Sequence, residues 1–122
     1  MRTILYTWNL EQTQLGRLRY FCLRQGIRLR PVGAAECGLP IRELPDRAEE
    51  AAEAGQNRLP FDTPMLLMAG FSPAQVDALL AALKGIPPAV PLKAVLTAAN
   101  RRWTSEQLHR ELSAERAALG GA

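Results

Sequence analysis

The chain has 122 residues, 48% of them hydrophobic and 22% charged, and a formal net charge of +3. That length suits one domain that buries roughly two-thirds of its unfolded surface, and the balance excludes a disordered polyelectrolyte. The longest apolar run, "MLLMAGF", falls far short of the about 20 residues that span a bilayer, and the first apolar run meets Trp8, Asn9 and Glu11 too soon for a secretion signal. A cytoplasmic protein is therefore expected, with Cys22 and Cys37 reduced.

Residues 3 to 8, "TILYTW", are β-branched, aromatic and apolar, and predict a strand. Asn9 stands where a cap would open a helix over about residues 10 to 25, with Leu15, Leu18, Phe21 and Cys22 as its buried stripe and Gly26 as its stop. "IRLRPVG" follows, half polar and holding Pro31, which suits an edge strand.

Residues 34 to 64 carry the weakest signal. "CGLPIRELP" holds enough for one helical turn, while "DRAEEAAEAGQN" offers Asp46 as a cap and good helix formers with almost nothing large to bury. "PMLLMAGF" is apolar on both faces, as an inner strand is. Ser72 and Gln75 form a capping box, Pro73 fills the first helical position, and Val76, Leu79, Leu80 and Leu83 mark a stripe that ends near Gly85. After "IPPAVP", "LKAVLT" is a fourth strand, and a last helix begins at Thr104.

This alternation predicts a small single-domain α/β sandwich over residues 1–119, with helices on a four-stranded, mainly parallel sheet and a frayed 120–122 tail. A ferredoxin-like α+β fold with an antiparallel sheet is the alternative. A faint duplication also runs through the chain. Gly33, Ala34 and Ala35 match Thr97, Ala98 and Ala99, and Leu44 matches Leu108, which suggests two βαβα halves, 1–45 and 65–119, joined by a weakly structured 46–64 segment.

If the inner strands point the same way, their C-terminal ends and the following helix starts meet on one edge and favour an anion. That edge would gather Trp8, Asn9, Gly33, Gly70, Ser72, Thr97, Asn100, Arg101, Arg102 and Thr104, with Lys93 and Trp103 beside it. Thr97, Asn100 and Arg102 suit phosphate or carboxylate; Asn100 equally suits a turn, its side chain on local backbone. No Gly-rich phosphate loop occurs.

Other chemistry is thinner. Cys37 in "ECGLP" stands before a potential helix start, where a thiolate is stabilised, yet most such thiols are simply packed. Glu106 and His109 lie three apart on one helix face, but a metal needs further ligands, and no metal, cofactor or catalytic set is assigned. Arg17, Tyr20 and Arg24 share an outer stripe of the first helix, followed by Arg28 and Arg30, a pattern that grips nucleic acid or simply faces water.

From Met65 onward the segments "LLMAGF", "VDALLAALKG" and "PLKAVLTAANRRWTSEQL" resemble the uncharacterised bacterial domain-of-unknown-function family 3783. Lys93, Ala94, Thr97, Asn100, Trp103 and Thr104 carry the resemblance, and Ala99 stands where that family commonly has proline. The resemblance implies a small α/β domain with no established activity, cofactor or catalytic set.

The resulting expectation is a non-enzymatic binding or regulatory domain that meets a small anionic ligand or a protein partner at the strand-end edge. A nucleic-acid module using the first helix is the alternative, with a small enzyme of unrecognised site behind it. Self-association stays open, and no membrane partner is expected.

Overall fold

A computed structural model describes residues 3–45 and 59–119. Four strands, β1 (Ile4–Trp8), β2 (Arg28–Pro31), β3 (Met65–Ala69) and β4 (Leu92–Val95), form one sheet in the order β2-β1-β3-β4. Three helices, α1 (Gln12–Gln25), α2 (Pro73–Leu83) and α3 (Ser105–Ala118), cover it, with short 3-10 turns at Ala34–Glu36, Ile41–Glu43 and Asn100–Arg102. The α/β sandwich read from the sequence is the fold, and the Pro31 strand is an edge as expected. The helix expected from Asp46 lies outside the described residues.

Two ladders are parallel, β1 with β2 and β3 with β4, but the central one, β1 with β3, is antiparallel. Its register sets Ile4 against Ala69 and Trp8 against Met65. β1 and β2 therefore finish at one end of the sheet, and β3 and β4 at the other. The edge expected to collect every strand C-terminus is split in two.

Alternation along the strands builds the two layers. Leu5, Leu29, Leu66 and Met68 face α1 and α2, where Leu18, Cys22 and Leu79 meet them. Ile4, Tyr6, Trp8, Met65, Leu67 and Leu92 face the opposite side, covered by Ile41, Leu44 and Leu108. All five residues of β1 and all five of β3 are buried, as inner strands with two covered faces must be. Burying each of Leu18 and Leu79 contributes about 1.5–3 kcal/mol. Leu80, read as part of the buried stripe, is 37% exposed, because one narrow face of α2, centred on Leu79, meets the sheet.

α1 opens later than the sequence suggests. Its cap is Glu11, whose N–H donates to Gln14 Oε1 at 3.0 Å, while Gln14 Nε2 donates to the Pro88 carbonyl at 2.6 Å. Asn9 does not cap. It adopts a left-handed φ of 61°, and its Nδ2 donates to the carbonyls of Phe61 (2.8 Å) and Thr63 (3.2 Å). The side chain that local reasoning gave to a helix instead ties down the approach to β3.

Candidate functional site

At the end where β3 and β4 finish, Leu96 N–H donates to the Met68 carbonyl at 2.8 Å and extends the ladder past β4. The chain must then turn without leaving polar backbone unpaired. Asn100 supplies the partners: Oδ1 accepts from Thr97 N–H (2.8 Å), and Nδ2 donates to the Val95 carbonyl (3.0 Å). Its own N–H donates to Thr97 Oγ1 at 3.0 Å. Thr97 and Asn100 thus close a turn on themselves, with Asn100 only 7% exposed.

Neighbouring polar side chains behave alike. Ser72 Oγ accepts from Gln75 N–H (3.1 Å) and Gln75 Oε1 from Ser72 N–H (2.9 Å), the reciprocal box read from the sequence. Thr104 Oγ1 accepts from Gln107 N–H at 3.2 Å and opens α3. Trp103 is half-buried against the core, and its carbonyl accepts from Ile41 N–H at 2.8 Å. Arg101 and Arg102 remain exposed. Lys93 lies back along β4, opposite Leu66, with Nζ donating to the Val90 carbonyl at 2.7 Å.

The expected convergence fails for a definite reason. Because β1 runs against β3, Asn9 and Gly33 sit at the end opposite Ser72, Thr97 and the two arginines. What joins that second group was not visible locally. Arg28, which opens β2 opposite Ile4, shares its end of the sheet with Arg101 and Arg102. Gln75 Nε2 donates to the Gln25 carbonyl at 3.3 Å, which brings the last turn of α1, with exposed Arg24, to the start of α2. Among the described residues none of these four arginines forms an ion pair.

Arg30 leaves the basic face expected of it. It is fully buried, with Nη1 and Nη2 donating to Glu36 Oε1 (2.9 Å) and Oε2 (2.6 Å), and Nη1 also to the Pro31 carbonyl (2.7 Å). Glu36 Oε1 further accepts from Gly33 N–H at 3.1 Å, so the carboxylate holds the turn after β2. Farther back on α1, Arg17 donates to the Gly85 carbonyl at 3.2 Å, while Tyr20 and Leu23 are 64% and 80% exposed.

His109 and Asn9 meet at the opposite end through Phe61 and Thr63, in the segment expected only to join the two halves with little structure of its own. The imidazole stacks on Phe61 with centroids 4.2 Å apart, and its Nε2 lies 3.3 Å from Thr63 Oγ1. Burial lowers the His109 pKa from its ordinary 6.5. Phe61, Glu106, His109 and Arg110 border an open groove of about 280 Å³. A larger one, about 790 Å³, runs between Pro91–Lys93 and the last turns of α3. The contacts joining Asn9, Phe61, Thr63 and His109 span 46 to 54 residues of sequence, so no local motif announces them.

The thiols are packed. Burial pushes Cys22 up to about 11, against a lowering effect from Arg19. Cys37 ends the Ala34–Glu36 turn rather than starting a helix, is buried, and donates from Sγ to the Gly33 carbonyl at 3.5 Å. Among the described residues no group of three or more His, Cys, Asp or Glu side chains stands close enough to hold a metal ion. No described helix is long and apolar enough to cross a membrane.

No curated protein and no solved structure matches the chain. A family model does match, over β3, α2, β4 and α3, the segment that holds the Thr97–Asn100 turn and the two exposed arginines after it. The C-terminal half of the chain, residues 64–119, is a match to the family described as Domain of unknown function (DUF3783).

Proposed function

We propose that the protein is a non-catalytic cytoplasmic binding domain that recognises an anionic group on a ligand or protein partner at the sheet end where β3 and β4 finish. The observation behind this reading is that Arg101 and Arg102 stand exposed just past β4, at the same end of the sheet as Arg28, with no ion pair among the described residues. Guanidinium forks suit carboxylate and phosphate, and the adjacent Arg101 and Arg102 offer two of them, with Arg28 adding positive charge across the same end of the sheet. Thr97, Asn100, Ser72 and Thr104 serve as scaffold, since their side chains are engaged by local backbone.

A thermal-shift and titration series with phosphosugars, dicarboxylates and an acidic peptide tests it. Binding should weaken about tenfold or more in Arg101→Ala with Arg102→Ala, and should persist in Lys93→Ala at the far end of β4. Indifference to all these anions at low salt, or loss only with Lys93→Ala, would overturn it.

A second reading rests on one further observation. The Arg24 guanidinium lies 5.8 Å from the centroid of the exposed Tyr20 ring, beside Leu23, on a helix that carries no acid. Such a stripe offers stacking and phosphate contacts to single-stranded nucleic acid. Binding of a labelled RNA oligonucleotide should then fall steeply with salt, and Arg17→Ala with Arg24→Ala should flatten the slope by roughly 1.4. No mobility shift at low salt would end this reading.

A further inference from the structure

We infer that the edge of β3 that pairs with β1 is a self-recognition surface of the family unit, and that residues 3–45 are a second, diverged copy of that unit fused in the same chain to cover it. The family match stops short of these residues, so the inference rests on geometry.

Each half runs strand, helix, parallel strand, then a 3-10 turn. The correspondence holds at single residues. Glu11 N–H donates to Gln14 Oε1 at 3.0 Å, and 61 positions later Ser72 N–H donates to Gln75 Oε1 at 2.9 Å. Leu18 and Leu79, again 61 apart, are both fully buried on the same face.

After the longer connector before β4 the offset becomes 64. Ile4 pairs with Arg28 as Met65 pairs with Leu92. Gly33 N–H donates to Glu36 Oε1 (3.1 Å), and its counterpart Thr97 N–H donates to Asn100 Oδ1 (2.8 Å). Leu44 and Leu108 are both fully buried in the opposite layer.

The halves are related by a two-fold axis. The antiparallel β1–β3 ladder centres on Tyr6 against Leu67, which are counterparts, and the isolated bridge of Pro40 with Thr104 also joins counterparts. A position meets its own equivalent only on such an axis, as in the isologous interface of a two-fold dimer. Alone, the β3-α2-β4-α3 unit would bare a strand edge whose residues are apolar on both faces, which is an untenable surface in water.

Divergence has acted on chemistry while leaving the frame. Counterpart to the Ala94 and Asn100 pair stand Arg30 and Glu36, so the turn after β2 is closed over a buried ion pair and the turn after β4 is followed by exposed arginines. Ser105 occupies the position of Ile41, and its hydroxyl is buried without a partner among the described residues.

The test is a full-length chain in which a second copy of residues 64–119 replaces the first half, joined through the natural 46–63 segment. It should fold cooperatively, and its amide correlation spectrum should show about half the signals expected for its length outside the joining segment. A soluble chain with the full number of signals, or one that unfolds without a transition, would overturn the inference.

If that chain is insoluble, the natural chain decides. Glu36→Asn alone should lower the denaturant midpoint. Adding Arg30→Ala recreates the Ala94 and Asn100 pair and should recover at least half the loss, and more than Arg30→Ala with Glu36→Ala does. Equal midpoints for the two double variants would reject the equivalence.

Discussion

Asn100 and Ser105 are both buried polar residues near the start of α3, with opposite consequences for stability. Asn100→Ala removes the acceptor for Thr97 N–H and the donor to the Val95 carbonyl, and should cost about 1–3 kcal/mol in chemical denaturation. Ser105→Ala removes a hydroxyl that has no partner among the described residues, and should be neutral or stabilise by up to about 1 kcal/mol. His109 supplies a pH dependence of definite sign. Its folded pKa lies below 6.5, so its contribution is full above pH 6.5 and is lost as pH falls through the folded value. Melting temperatures across pH 7.5 to 5 should fall less in His109→Gln, and an identical profile would show that another group is responsible.

Among the elements, α1 depends on a single residue to end it. Gly26 adopts φ 70°, and its N–H donates to the Cys22 carbonyl, which allows the chain to reverse into β2. No heavy atom would crowd an added Cβ there, so Gly26→Ala isolates the backbone term and should destabilise by about 1 kcal/mol, measured by urea unfolding. Helices were legible where their determinants are local. The Ser72 and Gln75 box and the Thr104 cap stand where "FSPAQV" and "WTSEQL" put them, because a cap needs partners only three residues away. Asn9 misleads for the same reason. Its partners lie 52 and 54 residues off, and Glu11 takes the cap.

For the molecule as a whole, strand existence was readable and strand direction was not. The unbroken apolar run shows that Met65–Ala69 is buried on both faces, but it carries no sign, and the long path from Pro31 to Met65 permits either orientation beside β1. That one unreadable sign separates Asn9 from Thr97 and sets Arg28 at the same end of the sheet as Arg101 and Arg102, on the opposite edge. The family resemblance, by contrast, lay in contiguous residues and coincides with the matched segment 64–119.

The outer strands are only four residues each, one containing Pro31, which has no N–H to offer, and the other Lys93, whose ammonium is costly to desolvate. Lys93→Val should therefore raise light scattering during concentrated refolding while leaving the native melting temperature almost unchanged, and an unaltered scattering rate would show that the rim is guarded by something else. A sheet so finished resists growing sideways into fibres, because neither rim offers the next copy a long, dry template on which to add a strand.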